Sequence, residues 1–390
     1  MKGEIKEDTD NQLDVEELAE IVCEKSRIDA RQVYLNDITT DTTNTELDKE
    51  IDASEIEEAV NKLKDSKTSD GIGLSTVKKI LPTIMSMLVI LMNLVFKGGA
   101  KDYPSAWINF VNAIPKKGKL LPPKFVRFIT VMGVFEKIYQ TILNSRLYTF
   151  LSIPFQQTAY QTGKGCNLHV MSMRLLKILA GKTKQKLYVV FTDFKAAFDL
   201  VSRRLLFQKL VKLGVSAGML CALIAIYVSS KSVVEYDNEY SDYLMLLCGV
   251  KQGAPPSGLL YVAYTMGLIN VYDVSFDPEP LIGIFHFLMH ADDILMLATS
   301  RNIALEKVKC LMQYCVDNFI RLQITKCAIM CVNGDDDDEL SLQIDNLTLN
   351  NTECEVYLGS SITKSTKLLD DVNADIEYVT SSRAGSRVKT

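Results

Sequence analysis

Three acidic residues in this chain sit where acids are costly. Asp193 ends the apolar run LYVVFTDF, and Asp292 and Asp293 sit between the apolar runs HFLMH and ILMLATS. A carboxylate beside apolar strand residues is expensive to desolvate unless a cation pairs with it. If the two strand ends lie side by side in one sheet, three carboxylates converge. That arrangement can hold two Mg²⁺ ions ~3.5–4 Å apart, Mn²⁺ being able to substitute. Such ions activate a hydroxyl nucleophile and neutralise charge on a phosphate leaving group. The plainer reading is that Asp suits turns, and an Asp-Asp pair in a hairpin needs no metal to explain it.

The elements that would carry these acids are legible. LYVVFTDF has the continuous hydrophobicity of a strand buried on both faces, and HFLMH–ADD–ILMLATS reads as a β-hairpin. Asp52-Ala53-Ser54-Glu55 opens a helix through IEEAVNKLKD, followed by a loop, SKTSDGIG. AWINFVNAIPKKGK reads as a strand entering a turn. RFITVMGVFEKIYQTILNSRLYTFL begins extended and becomes helical. AAFDLVSRRLLFQKLVKLG has helical spacing at Phe198, Val201, Leu205 and Leu210, closed by Gly214. ALEKVKCLMQYCVDNF predicts an amphipathic helix. LQITKCAIMCV, LSLQIDNLTL and CEVYLGSSI predict late strands. Glu16 to Ile21 could form a short helix, and DDDDE at 335–339 reads as a solvated loop. Ile80 to Phe96 is uncharged but interrupted by Pro82, Thr83, Ser86 and Asn93, so a buried helix is expected rather than a membrane span.

The 390 residues carry a net charge of −5, distributed unevenly. Residues 1–60 carry −13, residues 61–334 carry +15 and residues 335–390 carry −7. Within the centre, residues 97–212 hold 20 basic and 4 acidic side chains. Such an excess suits a phosphate backbone, as it would suit any solvated basic surface. Nine Cys without a CxxC pair and only three His (His169, His286 and His290) exclude a zinc finger at standard ligand spacing. With no signal peptide visible, free thiols in an intracellular compartment, nucleus or cytoplasm, are expected.

Several segments, in order, resemble the motifs of non-long-terminal-repeat (LINE-type) reverse transcriptases. FTDFKAAFDLV resembles the first palm motif, GVKQGAPPSGLLYVAYTMGLI the second and HADDILMLA the third. LQITKCAIMCVN resembles the lysine-bearing motif, and YLGSSIT the hairpin that holds the primer. DGI at 70–72, IPKKGK at 114–119, RFITV at 127–131 and QTAYQTGKG at 157–165 fall at fingers positions. His290 stands where the family has Tyr or Phe, Phe128 where proline follows the arginine, and Ser257-Gly258 where Ser-Pro is usual.

The resemblance implies an α+β right-hand polymerase, with an antiparallel palm sheet backed by helices, largely helical fingers and a truncated thumb. It divides the chain into an acidic segment (1–51), a helical lead-in (52–96), a reverse transcriptase domain (97–363, with the palm at 187–363) and the start of a thumb (364–390). Asp193, Asp292 and Asp293 would ligate the metals, assisted by the Phe194 backbone carbonyl. Lys116 or Lys117 and Arg127 would contact the triphosphate, Arg through its bidentate fork. Phe198 would lie under the sugar and exclude a 2′-hydroxyl, and Gln252 and Gly253 would border nucleotide and template. Lys326 would donate a proton to pyrophosphate. Tyr357, Leu358 and Gly359 would form the primer grip. The implied partners are an RNA template, a DNA primer and deoxynucleoside triphosphates, with no membrane. Two other readings remain: an inactive remnant that binds RNA, and an RNA-copying RNA polymerase, against which Phe198 argues.

Overall fold

The computed structural model describes residues 38–115, 126–272, 281–283, 285–334, 342–344 and 347–387, together with Glu16, Glu20 and Leu35. Lys116, Lys117, most of the segment 16–21 and the acidic run 335–339 lie outside the described residues.

The elements follow in chain order as α1 (Ala53–Lys62), α2 (Leu74–Gly98), β1 (Ile108–Pro115), β2 (Val126–Val131), α3 (Val134–Phe150), α4 (Cys166–Thr183) and β3 (Leu187–Thr192). Next come α5 (Arg203–Lys212), α6 (Ala217–Val228), β4 (Lys231–Tyr236), β5 (Glu239–Tyr240), α7 (Ser257–Thr265), β6 (Phe287–His290) and β7 (Asp293–Ala298). The series closes with α8 (Arg301–Asp317), β8 (Ala328–Val332), β9 (Leu342–Ile344), β10 (Leu347–Asn351), β11 (Cys354–Tyr357), β12 (Ser360–Thr363) and α9 (Leu368–Arg387).

Two compact units divide the chain. The first comprises residues 1–152 and 198–261, the second residues 153–197 and 262–390. In the first, β1 pairs antiparallel with β2 and parallel with β4, giving the order β2-β1-β4-β5. So a small sheet accompanies the helices there. Helix α1 starts on a full capping box: the Asp52 side chain accepts from Glu55 N at 3.0 Å and the Glu55 side chain from Asp52 N at 3.4 Å.

Helix α2 departs from expectation. It forms where the apolar run predicts a helix, but only one side is buried, through Leu74, Val77, Leu88, Met92, Val95 and Phe96. Met87, Ile90 and Leu94 on the other side are 57–62% exposed. Uniform hydrophobicity hides which face is covered. Asn93 marks the inner boundary: it accepts from Ile51 N and donates to Ile51 O, both at 2.8 Å. By length and composition α2 is long and apolar enough to cross a membrane.

In the second unit, the six-stranded sheet runs β6-β7-β3-β8-β10-β9. It is antiparallel except where β10 meets β8. β3 is central, and alternate residues feed two cores. Tyr188 and Val190 join Ile303, Val308 and Leu311 of α8 on one face. Leu187, Val189 and Phe191 join Val170, Met173 and Leu176 of α4 on the other. Cover on both faces explains why β3 reads as apolar without alternation.

Helix α5 begins at Arg203, later than Phe198, because the Ser202 hydroxyl accepts from Leu205 N and caps the helix there. Phe198 and Val201 therefore lie before it rather than on its core face.

Candidate active site

Pairing in the second unit brings the acids together. β3 and β7 run antiparallel with Thr192 opposite Ile294, so Asp193, one residue past β3, falls level with Asp293, the first residue of β7. β6 and β7 close the hairpin with His290 opposite Asp293, leaving Ala291 and Asp292 as its turn. The Thr192 hydroxyl donates to Ile294 O at 3.0 Å and ties the two strand ends. Beyond β3, the Asp193 carbonyl accepts from Gln323 N and the Arg321 carbonyl accepts from Lys195 N, both at 2.8 Å. The Phe194 ring is buried in the core below.

The acids feel one another. Burial raises the Asp293 carboxyl to about 6, with the charges of Asp292 and Asp193 adding to it and Lys326 opposing. Asp292 is also raised, by burial first and by the Asp193 charge, against its own backbone amide, Lys326 and His290. Residue 293 as a whole keeps solvent access, so the enclosure that raises its carboxyl is partial, and neighbouring charge adds to it.

Lys326 corrects an expectation. It stands on a one-turn 3₁₀ helix, Ile324–Lys326, rather than on a strand, and its ammonium pairs with the Asp193 carboxylate. This lysine is 133 residues from Asp193 in sequence, yet its cation rests on the acidic cluster.

Three carboxylates that disfavour one another's charge gain from a cation, and an all-oxygen donor set suits Mg²⁺ or Mn²⁺. Among the described residues they are not drawn into a ready-made cage.

His290 is held on both ring nitrogens. Its Nδ1 lies 2.9 Å from the Thr158 hydroxyl and its Nε2 3.4 Å from Cys166 Sγ. Burial lowers its pKa, with the Asp292 charge opposing. The Tyr357 side chain points inward: the ring is buried, and its hydroxyl donates to Leu288 O at 3.3 Å and stands 3.3 Å from His169 Nδ1. Leu358 and Gly359, both at positive φ (51° and 81°), make the tight turn between β11 and β12.

The remaining expected residues belong to the first unit. Arg127 is exposed on β2, opposite Ile114. Two residues on from Phe128, Thr130 N donates to Gln252 O at 2.6 Å. Gly253 adopts φ 104°, and a Cβ there would stand 2.8 Å from the Thr130 carbonyl oxygen. The close approach that Gly253 permits is therefore to β2 itself. Phe128, Thr130, Arg203, Lys251 and Gln252 line one cavity. Arg203 donates to the Gly249 and Cys248 carbonyls, and Lys251 Nζ donates to Ile226 O at 2.9 Å and Ser230 Oγ at 2.6 Å. Burial brings Lys251 down to about 8.

Sequence reasoning assigned no role to Gln157, Thr158, Tyr160, Arg203 or Lys251. For Gln157 and Thr158 the available signal was a polar run, Gln156-Gln157-Thr158, directly after the turn at Pro154. The Asp292 charge links Tyr160 to the same site: its hydroxyl is raised by burial and then by that charge.

Residues 114–363 match the reverse transcriptase (RNA-dependent DNA polymerase) family. Over 203 residues, half of the chain, the sequence is 27% identical to a retrovirus-related Pol polyprotein from the type-1 retrotransposable element R2 of Popillia japonica. The chain spans 28% of that protein's length. Among solved structures, apo telomerase of Candida tropicalis, truncated from its C-terminal domain, aligns over 78% of this chain and 62% of its own, with 13% identity and a TM-score of 0.46. Telomerase of Candida albicans, in complex with a fragment of telomeric RNA, aligns over 77% of this chain and 51% of its own, with 11% identity and a TM-score of 0.43.

Proposed function

The chain belongs to the reverse transcriptase (RNA-dependent DNA polymerase) family, and from that premise we propose that it copies an RNA template by adding deoxynucleotides to a DNA primer. The primer 3′-hydroxyl attacks the α-phosphate of the incoming deoxynucleoside triphosphate, and pyrophosphate leaves.

The observation that carries this reading is the level placement of Asp193 and Asp293 at the ends of paired strands, with Asp292 beside them and the Asp292 and Asp293 carboxyls raised by burial and then by neighbouring charge. Asp193, Asp292 and Asp293 would hold two divalent ions, with the Phe194 carbonyl assisting. Such ions lower the pKa of a bound hydroxyl and neutralise phosphate charge. Lys326 has three donors beside this cluster and suits proton delivery to the departing pyrophosphate. Arg127, Gln252 and Gly253 gather along β2 of the first unit and would receive the nucleotide, with Lys116 or Lys117 on its phosphates. Phe198 would close the space a 2′-hydroxyl needs. Tyr357 would serve the primer grip by bracing it, since its ring is inside, and Leu358 and Gly359 would present the turn. The 20 basic residues between 97 and 212 supply the charge that a nucleic-acid backbone attracts.

Primer extension with an RNA template, a DNA primer and Mg²⁺ tests this. The Asp292→Ala, Asp293→Ala double variant is expected to abolish extension, and unchanged extension would remove the mechanism. The departure at His290 favours a second reading, an inactive copy that grips RNA. Binding that weakens with salt, with no extension at any metal concentration, would select it.

A further inference from the structure

The hairpin turn that carries Asp292 is under conformational strain and is held from outside. Ala291 has φ 57°, a region in which a side chain is penalised and glycine is not. The two-residue turn has no glycine, so something else must fix it.

A strap does so. Residues 156–158 lie along β6: Met289 N donates to Gln156 O at 2.8 Å and Thr158 N to Met289 O at 2.9 Å. The Gln157 side chain, fully buried, reaches from this strap into the turn. Its Oε1 accepts from Ala291 N at 3.0 Å and from Ala159 N at 2.9 Å. Two backbone donors on one atom fix the orientation of the amide, because the flipped group would set N–H against N–H. The other end of the amide is costly: Gln157 Nε2 is buried with no partner among the described residues. A leucine or methionine would avoid that penalty. What Gln157 provides over an apolar residue is the oxygen, and the oxygen is spent on the peptide joining His290 to Ala291. Thr158, the next residue, holds the His290 ring.

We infer that Gln157 is a positioning residue for the catalytic turn: it locks Ala291 in its strained conformation and so sets the Asp292 and Asp293 carboxylates against Asp193. This rests on the proposed reading that the three carboxylates hold divalent cations. Partners of this kind, acting through the groups that touch a metal, typically change metal affinity or activity by roughly 10–100-fold.

The test uses the full chain and Mn²⁺ as the probe, with free Mn²⁺ counted by electron paramagnetic resonance. Gln157→Met keeps the side-chain length and removes the acceptor. Mn²⁺ affinity is expected to fall by roughly 10–100-fold, and kcat for single-nucleotide addition to fall with it at sub-saturating metal, while KM for the nucleotide stays within about twofold. Adding Ala291→Gly should restore part of the loss, because glycine takes positive φ without help. A purely structural Gln157 would lower Tm and leave Mn²⁺ affinity unchanged below the transition; that result, or failure of Ala291→Gly to rescue, overturns the inference. Asp292→Asn, Asp293→Asn is the parallel control: if it leaves Mn²⁺ binding intact, the metal reading itself fails. Should Gln157→Met not fold, hydrogen exchange at the Ala291 amide of the unmodified protein decides. Strong protection supports the Gln157 lock, and exchange at the open-loop rate refutes it.

Discussion

The ring of Phe198 stacks on the ring of Tyr261, with centroids 4.8 Å apart and planes 12° from parallel. Tyr261 is buried, so it forms a fixed floor, and Phe198 is only half-buried above it. Such a stack contributes about 0.5–1.5 kcal/mol beyond the area it buries. Phe198 precedes α5, so this stack, rather than helix geometry, orients the ring. If that ring excludes a 2′-hydroxyl, Phe198→Ala should let ribonucleotides in. Discrimination between deoxy- and ribonucleotide, measured as the ratio of kcat/KM in single-nucleotide extension, is expected to fall roughly 10–200-fold. Tyr261→Leu, which removes the floor and leaves the ring, should give a smaller loss. An unchanged ratio in Phe198→Ala would end the assignment.

The carboxyl of Asp293, raised to about 6 chiefly by burial, ties stability to pH when no divalent ion is present. An acid with a raised folded-state pKa binds its proton more tightly when folded. Its contribution is full below the ordinary value of 3.8 and is lost as pH rises through about 6. In EDTA, Tm is therefore expected to fall between pH 4 and pH 6.5 by more in the unmodified protein than in Asp293→Asn. Saturating Mg²⁺ should reverse the loss at pH 7.5, by about 2.7 kcal/mol at a hundredfold excess over its dissociation constant. Equal pH slopes in the two proteins would show that the fold does not raise the Asp293 carboxyl.

Much of this was written locally. β3 could be read from sequence because both its faces are covered, and the hairpin because two apolar runs flank a short polar turn. The capping box of Asp52 and Glu55 announces α1 within four residues. What escaped depends on distant partners. Gln157 reaches a turn 134 residues away, and nothing in the polar run around it points to that turn. The exposed side of α2 was invisible because the helix is apolar all round. Lys326 looked like a strand residue until a 3₁₀ turn carried it to Asp193.

Gly253 has two separable reasons to be glycine: φ 104°, and the Thr130 carbonyl 2.8 Å from where a Cβ would stand. Gly163 has the first reason alone, with φ 76° and no atom within 4 Å of its Cβ position. Gly163→Ala should therefore cost only the conformational penalty, about 1 kcal/mol. Gly253→Ala should cost more, toward 3 kcal/mol. It should also raise KM for the nucleotide, because the strand pushed aside carries Arg127. Thermal melts and steady-state extension of the two variants check this. Equal destabilisation would mean that the Gly253 contact with β2 is slack.

Lys326 offers a prediction in which affinity and turnover move in opposite directions. Its ammonium pairs with Asp193, but the lysine side chain is 66% exposed, so the ion pair contributes only about 0–1 kcal/mol to stability. Lys326→Ala should hence leave Tm nearly unchanged. The same ammonium opposes the raised pKa values of Asp292 and Asp293, and so competes with any cation that approaches them. Removing it should tighten Mn²⁺ binding. If Lys326 delivers the proton to pyrophosphate, kcat should nonetheless fall by about 10²-fold or more, and Lys326→Arg should recover little, since guanidinium does not give up a proton. Tighter metal with slower chemistry is hard to obtain from misfolding or from a lost surface charge alone. Weaker metal binding together with lower kcat would instead make Lys326 a structural partner of Asp193, and the proton donor would have to be sought elsewhere.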